Sequence, residues 1–445
     1  SLMAVPGVGP KTAYRISKDL NVQNPDELEA AAKAGRLRAL SGLGEKKEEA
    51  ILRSLEQLRR KDTRRPIADV LPIVEGLMRT LDALGSAQRL TPAGSVRRFE
   101  ETIGDVDVIG ISEQPRAFMD AFVGLPLVQD VLGHGATKSS VVSVQGLQID
   151  VRLVEPRNYG NLLQHFTGSK QHNIMLREYA QRIGLSVSEY GVTDAKNGAV
   201  HVCDTEEEVY HLLKLPYLAP ELRQGLDEID RALRGTLPRL IELGDVRGDL
   251  HAHTDWSDGT ASLDAMAAAA EAAGLEYLTI CDHSAGRAVA RGLQPERLRR
   301  QIELIRAYRP SRPGFRLLAG IEADIRSDGA IDCPDELLAE LDFVVASVHS
   351  AMQQDEATMT RRIIRAIEHP HVDTIGHLTT RIVAHRPEVA LDVAAVMAAA
   401  ARTGTALEIN GSLERLDIKD SYVRMANERG VVLSLGTDAH AVGTL

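Results

Sequence analysis

The chain is 445 residues long, 44% hydrophobic and 26% charged, which suits two or three domains with sizeable cores and excludes a largely disordered polypeptide. Its three cysteines, Cys203, Cys281 and Cys333, stand far apart with no CxxC pair, the Ala-rich runs near Ala267 and Ala398 are interrupted by Glu271 and Arg402 before reaching membrane-spanning length, and no signal peptide is present; a soluble, cytoplasmic, monomeric protein with no membrane partner is expected. A net charge of −11 argues against nucleic acid as a partner, since binding it means neutralising phosphates, yet the first 65 residues carry 14 Lys and Arg against 9 Asp and Glu.

Residues 1–65 read as short helices separated by glycine turns. Two turns are alike: Val5-Pro6-Gly7-Val8-Gly9-Pro10-Lys11 and Leu40-Ser41-Gly42-Leu43-Gly44-Glu45-Lys46. In each, a GxG exposes backbone N–H groups at a helix start, where a phosphate can be held. The turns resemble helix-hairpin-helix motifs, so Gly7, Gly9, Lys11, Gly42, Gly44 and Lys46 are expected to grip a DNA backbone without reading its sequence.

A helix is expected from Ile67 to Ala83. Asp105 to Ile111 and Gln148 to Val154 alternate polar and apolar residues, as half-buried strands do. A helical stretch from Tyr159 to Arg234 surrounds a strand-and-turn insertion near Ser186 to Val202, and Leu237 to Arg247 reads as a linker. From Gly248 the rhythm is strand, helix, strand. The runs Asp245–Leu250, Tyr277–Ile280, Leu317–Ile321, Phe343–Val348, Thr374–Ile375, Ala406–Ile409 and Val431–Leu435 are separated by helical stretches such as Leu263–Ala273 and Pro295–Tyr308. Seven βα units predict a closed or nearly closed parallel barrel.

Strand side chains at i and i+2 share a face, so Asp105 and Asp107 project together, and Asp150 on a neighbouring strand can join them. Three carboxylates without a basic partner call for hard cations such as Mg²⁺ or Mn²⁺, and two such ions can activate a hydroxyl and stabilise a leaving pyrophosphate. Gly94-Ser95-Val96-Arg97-Arg98, about ten residues earlier, offers a turn and two guanidinium groups for a triphosphate. These residues resemble the nucleotidyltransferase palm, and more closely family X DNA polymerases. The match continues through Asp150-Val151-Arg152 to Phe166-Thr167-Gly168-Ser169 and Asn173, and covers about residues 1–240.

The resemblance implies that Asp105 and Asp107 bind both metals and that Asp150 binds the one that deprotonates the primer 3′-hydroxyl. It implies that Gly94, Ser95, Arg98, Gly168 and Ser169 hold the β and γ phosphates of a deoxynucleoside triphosphate. His165 and Phe166 would lie next to the sugar and exclude ribose, Asn173 would reach the minor-groove edge of the incoming base, and Arg177 the template strand. Two positions depart from animal relatives: Gln148 replaces an arginine that orients a catalytic carboxylate, and Ile174 a lysine that stacks on the template base. The chain opens at what resembles the family's second hairpin motif, with no counterpart of its lyase domain.

The expected barrel strands end in ligand-type residues: His251 and His253 with Asp258 after the first, then His283, Glu322, His349 and His377, and finally Asp438 and His440. Nine N and O ligands without a thiolate suit Zn²⁺, Mn²⁺ or Fe²⁺, and they exceed what one tetrahedral ion needs. They resemble the PHP (polymerase and histidinol phosphatase) domain over about residues 246–445. That resemblance implies up to three ions: one on His251, His253, Glu322 and Asp438, a second on Glu322, His349 and His377, and a third on Asp258, His283 and His440. Water ionised there would attack phosphorus. Asp282 and Asp324 are possible partners of the histidines, His369 and His371 are not expected to be ligands, and Cys281 reads as buried.

The expected fold is thus multi-domain α/β. It comprises a helix-hairpin-helix, thumb-like segment (1–65), an α+β nucleotidyltransferase palm (66–156), a fingers-like nucleotide-selection domain (157–236), a linker (237–247) and a (β/α)₇ PHP barrel (248–445). The expected function is gap-filling DNA synthesis in repair on gapped or primed DNA, with 3′–5′ exonuclease or 3′-end processing by the barrel. Two alternatives remain: a barrel phosphomonoesterase joined to a degenerate DNA-binding module, and a repair scaffold without catalysis.

Overall fold

The computed structural model describes residues 2, 5, 8–40, 43, 44, 47–52, 54, 55 and 64–445. They divide into two compact units, Ser1–Leu237 and Pro238–Leu445. Among the described residues, no helix is long and apolar enough to cross a membrane.

In the first unit, helices span Pro10–Leu20 and Pro25–Lys33, each with proline in its first turn, where the missing N–H costs nothing. The two glycine turns are built alike. Val8 N donates to the carbonyl of Val5 and Leu43 N to that of Leu40, both at 3.0 Å, while Ala13 N and Glu48 N close the first helical turns on Gly9 and Gly44. Leu2, Val5, Val8, Ile16, Leu28, Leu37, Leu43, Ile51 and Leu55 form the core beneath them. Gly7, Gly42, Lys46 and the side chain of Lys11 lie outside the described residues.

The expected helix at Ile67–Ala83 forms with those limits and buries Ile67, Val70, Val74, Leu77 and Leu81, spaced three or four apart. Strands β1 (Arg65–Pro66), β2 (Arg89–Pro92), β3 (Thr102–Ile103), β4 (Asp105–Ile111), β5 (Val128–His134), β6 (Lys138–Ser143) and β7 (Gln148–Leu153) follow. The main sheet has the order β2-β4-β7-β6-β5, with β4 and β7 parallel and the other pairs antiparallel. The β5–β6 hairpin was not expected from the sequence. Nor is β4 half-buried along its length: Val108, Ile109 and Ile111 are all in the core, because Ile109 and Ile111 also pack against Tyr159 and Leu163.

Helices Tyr159–Thr167, Lys170–Arg182, Glu206–Leu212 and Glu228–Arg234 surround a small sheet of β8 (Leu185–Ser188), β9 (Gly191–Asp194) and β10 (Val200–His201). Glu206–Leu212 starts at a reciprocal cap between Thr205 and Glu208. Leu176, Tyr179, Val192, Val209, Tyr210, Leu213 and Ile229 form this core.

The second unit holds seven parallel strands in sequential order: β11 (Gly248–Ala252), β12 (Tyr277–Ile280), β13 (Arg316–Asp324), β14 (Phe343–Ser347), β15 (Thr374–Ile375), β16 (Ala406–Asn410) and β17 (Leu433–Gly436). The first begins three residues later than expected, because Leu243–Asp245 forms a 3-10 turn instead. A parallel bridge between Ala252 and Ala439, with Asp438 N on the His251 carbonyl at 2.8 Å, carries the end of β17 back to β11 and nearly closes the barrel. Parallel strands covered by helices read as continuous apolar runs, and Leu278, Ile280, Ile321, Val344, Ala346, Ile375 and Leu407 are all buried.

Candidate active sites

Two clusters of acidic and imidazole side chains form, one in each unit. In the first, the parallel register of β4 and β7 sets Asp107 directly beside Asp150 and Asp105 beside Gln148. Asp105 and Asp107 share a face by strand periodicity, so the three expected carboxylates converge. Burial, then the charges of Asp105 and Asp150, push the Asp107 carboxyl up to about 7, while Arg152 and Lys138 oppose the shift. Such crowding is relieved by a divalent cation, and an all-carboxylate donor set fits Mg²⁺ or Mn²⁺.

Each Asp150 oxygen is held by a neutral donor: Gln148 Nε2 donates to Oδ2 at 2.7 Å, and the Ser140 hydroxyl donates to Oδ1. Gln148 therefore orients this carboxylate. Ser140, Lys138 and the flanking role of Arg152 escaped the sequence reading. They depend on the β6–β7 pairing, which sets Ser140 against Asp150 and Lys138 against Arg152. Gly133 near the end of β5 and Gly135 just past it are the signal that could have revealed the hairpin.

The Gly94 turn closes over this cluster. Ala93 N donates to the Asp107 carbonyl at 2.8 Å, and Gly94 adopts φ +60° with its Cα so near that a Cβ would sit 3.0 Å from Asp107 Oδ2. Ser95 lies within the helical turn Gly94–Arg97. Arg98 is engaged within the protein, through Nη1 on the Thr167 carbonyl at 2.8 Å and Nε on Glu100 at 3.2 Å. Thr167 precedes Gly168-Ser169, where the Ser169 hydroxyl caps the next helix by accepting from His172 N at 3.0 Å. The two expected phosphate-binding turns are thus joined by Arg98.

Asn173 is buried, its amide donating to the His165 carbonyl at 2.7 Å and accepting from Gln164 at 3.2 Å. It faces the His165-Phe166 pair rather than solvent, so reaching a base requires those bonds to exchange. His165 and Phe166 meet edge to face with ring centres 5.3 Å apart, and Arg152 stacks on Phe166 at 4.4 Å. Arg177 is exposed, with Nε on the Asn173 carbonyl. In the glycine turns, Gly9 and Gly44 are exposed, and a Cβ on either would meet nothing within 4 Å among the described residues.

The second cluster gathers all nine expected ligands at the C-terminal ends of the barrel strands. Glu322 is central: Oε1 lies 2.8 Å from His377 Nε2 and 3.1 Å from His349 Nε2, and Oε2 lies 2.8 Å from His283 Nδ1. Asp438 Oδ1 is 3.2 Å from His253 Nε2. Asp258 reaches His283 at 3.2 Å and His440 at 3.3 Å. Three groups able to hold an ion result: His253 with Asp258, His283 and His440; His251 with His253 and Asp438; and His283 with Glu322 and His349. The groups overlap, and their partition differs from the one the resemblance implied. His253 and His283 each face two groups, because the curved strand ends leave them between neighbours.

The electrostatics suit bound cations. Although burial opposes it, Glu408, Glu322 and Asp438 raise His251 well above the usual imidazole range, and Glu322 with Asp258 raises His283 to about 10. The imidazoles in turn hold Glu322 and Asp438 well below the carboxylate range despite burial. Burial holds the His253 and His377 imidazoles below their ordinary range, and the Nδ1 atom of each is buried without a hydrogen-bond partner among the described residues. Imidazole nitrogens gathered beside carboxylates are the donor set a borderline divalent metal takes.

Supporting residues are partly as expected. Asp324 Oδ1 receives His349 Nδ1 at 2.6 Å. Asp282 touches no histidine among the described residues; it is buried and accepts from Thr254 N, Thr254 Oγ1, Ser257 Oγ and Gln301 Nε2, fixing the turn toward Asp258. Glu408, missed in the sequence, accepts His251 Nδ1 at 2.6 Å and His377 N at 2.7 Å. A carboxylate inside the apolar strand Ala406–Asn410 was the available signal. Gly436 makes this possible, since a Cβ there would fall 2.5 Å from His251 Cβ and 2.6 Å from Glu408 Oε1. His369 pairs with Asp335 at 3.3 Å, apart from the ligands. All three cysteines are free and buried, Cys281 with Sγ on the Leu250 carbonyl.

Family models match three segments: a SAM-like helix-hairpin-helix tandem at residues 1–57, a DNA polymerase beta thumb at 162–224 and a PHP domain at 249–412. The thumb model falls on the stretch read from sequence as fingers-like. The DNA polymerase/3′–5′ exonuclease PolX of Bacillus subtilis (strain 168) is 37% identical over 446 residues, covering 100% of this chain and 78% of its own length. A probable phosphatase of Shewanella sediminis (strain HAW-EB3) is 33% identical over 207 residues, 44% of this chain and 79% of its own. A crystal structure of Leishmania infantum polymerase beta, a ternary P/T complex, is 21% identical, with a TM-score of 0.41 over 50% of this chain and 97% of that one.

Proposed function

This chain belongs to the PolX family of DNA polymerase/3′–5′ exonucleases, and we propose that it fills short primed gaps during DNA repair in the cytoplasm, as a monomer, and trims or cleans 3′ ends with its barrel. The observation that carries the polymerase half is the register of Asp107 against Asp150 with Asp105 on the same face. A degenerate module would have no reason to keep three mutually repelling carboxylates, so the phosphomonoesterase alternative is not favoured.

On this reading residues 1–65 grip the DNA backbone through Gly9 and Gly44, residues 66–156 are the palm, and residues 157–236 select the nucleotide. Asp105 and Asp107 hold both of two Mg²⁺ or Mn²⁺ ions and Asp150 one of them, with Gln148 and Ser140 fixing its orientation. The joined turns at Gly94-Ser95 and Gly168-Ser169 receive the triphosphate of a deoxynucleotide, with Arg98 between them, and His165-Phe166 lies against its sugar. Asn173 and Arg177 contact the incoming base and the template strand.

In the barrel His251, His253, Asp258, His283, Glu322, His349, His377, Asp438 and His440 hold up to three Zn²⁺, Mn²⁺ or Fe²⁺ ions. Bound divalent ions supply Lewis acidity at both sites, lowering the pKa of a hydroxyl or water and neutralising charge on phosphate oxygens. Glu408 and Asp324 keep His251 and His349 in the tautomer that leaves Nε2 free.

The test compares Asp107→Ala and His251→Ala in two assays: extension of a primer across a gap, and hydrolysis of a 3′-labelled oligonucleotide. Asp107→Ala should abolish extension and spare hydrolysis, and His251→Ala the reverse. Extension that survives Asp107→Ala removes the polymerase reading.

A further inference from the structure

Beneath the turn Gly168-Ser169 lies a buried histidine that neither site's chemistry uses. His172, in the first turn of the helix Lys170–Arg182, is fully buried. Its Nδ1 lies 2.7 Å from Glu228 Oε1 and its Nε2 3.1 Å from the Tyr210 hydroxyl. Glu228 is buried as well, and its two oxygens accept Gly225 N and Leu226 N, each at 2.8 Å. A carboxylate only accepts, so His172 Nδ1 carries the proton. Burial holds the imidazole below its ordinary range although Glu228 opposes the shift, which favours the neutral ring with Nε2 accepting from Tyr210.

The pair is wedged between two segments. On one side Gly225 adopts φ +82°, and a Cβ there would fall 2.4 Å from Gln171 Cβ and 2.7 Å from His172 N, so the loop leading to Glu228 backs the first turn of the helix. On the other, a Cβ on Gly168 would fall 2.8 Å from His172 Cδ2 and 2.9 Å from Asn173 Oδ1. The imidazole therefore supports the backbone of the turn directly. The turn's own N–H groups are engaged, Gly168 N on the Gln164 carbonyl at 3.2 Å and Ser169 N on the Arg223 carbonyl at 3.1 Å. The Ser169 hydroxyl accepts from His172 N, which leaves its own proton to donate. What these two residues can offer a phosphate thus depends on where that hydroxyl stands. Apolar side chains could fill the same space, since replacing both partners of a buried hydrogen bond is often nearly neutral for stability. A satisfied polar contact adds a fixed geometry, and among the described residues no buried side-chain nitrogen or oxygen of His172, Tyr210 or Glu228 lacks a partner.

We propose that His172 and Glu228 are positioning residues for nucleotide binding: they form a buried strut that holds Gly168-Ser169 where the Ser169 hydroxyl meets a phosphate of the incoming deoxynucleoside triphosphate, and of the pyrophosphate that leaves. The inference rests on that turn receiving the triphosphate. Neither residue touches substrate, so the strut acts on affinity for the phosphates rather than on the chemical step at Asp105, Asp107 and Asp150.

The test uses the full chain with Mg²⁺ on gapped DNA. His172→Leu, His172→Gln, Glu228→Gln and Ser169→Ala are compared with the parent for single-nucleotide insertion and for its reversal by pyrophosphate. Melting temperature and barrel hydrolysis are measured alongside. His172→Leu and Glu228→Gln should raise KM for the deoxynucleotide and for pyrophosphate roughly three- to tenfold, and lower kcat less. His172→Gln keeps a donor for Glu228 and an acceptor for Tyr210, and should recover part of the loss. Added to Ser169→Ala, His172→Leu should raise KM no further, because both act through one hydroxyl. Effects that multiply overturn the strut, as does a lower melting temperature or kcat with KM unchanged. If Ser169→Ala by itself leaves both KM values parental, the reading of the turn as a phosphate site fails and the strut with it. An impaired Ser169→Ala beside silent His172→Leu and Glu228→Gln ends the strut alone. Should His172→Leu not fold, Tyr210→Phe, which removes one hydroxyl and keeps the ring, takes its place under the same criteria.

Discussion

Replacing Gly94 by alanine tests the palm geometry with one methyl group. At φ +60° an L-residue costs about 1–2 kcal/mol. The added Cβ would stand 3.0 Å from Asp107 Oδ2, closer than ordinary van der Waals contact. The turn cannot retreat freely, because Ala93 N is bonded to the carbonyl of the same Asp107. The carboxylate must therefore shift by a few tenths of an ångström or the turn must open. Since ~1 Å of misplacement can cost roughly 10²-fold in rate, single-nucleotide insertion on gapped DNA should fall about 10–100-fold. Backbone strain should lower the melting temperature of this unit by roughly 2–8 °C. Hydrolysis by the barrel serves as the internal control and should not change. Insertion at the parental rate, measured well below the melting transition, would refute the close approach of this turn to the carboxylates.

Glu408→Gln removes the acceptor of His251 Nδ1–H, and metal affinity of the barrel should drop about 10–100-fold by elemental analysis and competition with a chelator, leaving extension intact; full retention of metal contradicts the orienting role. In chelator-treated protein, Asp107 titrates near 7, above its ordinary 3.8. The folded state then binds the proton more tightly than the unfolded state, so this contribution is present below about pH 4 and is lost as pH rises through 7. Urea midpoints should fall between pH 4 and 7 by on the order of 2–4 kcal/mol of stability. Asp107→Asn should flatten that fall, and an equal slope in both proteins would show the carboxylates are not crowded. The double variant Gly9→Ala, Gly44→Ala should fold with stability within about 1 kcal/mol of the parent, because neither new methyl meets a neighbour among the described residues. It should bind gapped DNA several-fold more weakly, and parental affinity would take those turns out of the DNA interface.

Much of both sites was legible along the chain. Strand periodicity alone puts Asp105 and Asp107 on one face, and a DxD beginning a strand needs no fold to be recognised. The barrel's expected ligands were legible because βα units deliver residues at the C-terminal end of each strand to one mouth, so His251, His283, Glu322, His349 and His377 announce themselves by position. The repeat of Val5-to-Gly9 in Leu40-to-Gly44 likewise reappears as matched hydrogen bonds.

What stayed hidden depends on pairing between distant segments. Asp150 was expected on a neighbouring strand, but its place directly beside Asp107 comes only from the register of β4 on β7, and Ser140 joins them only because an unforeseen hairpin lays β6 along β7. Glu408 looked like one polar residue in an apolar strand until closure of the barrel set it against His251. Asp282, beside a ligand in sequence, turned out to serve a turn instead. The sequence by itself determined which donors each strand end presents, since local periodicity fixes the direction of a side chain. Only the tertiary structure decided which donors share an ion and which carboxylates repel, because distances across strands follow from register and curvature, which residue spacing does not encode.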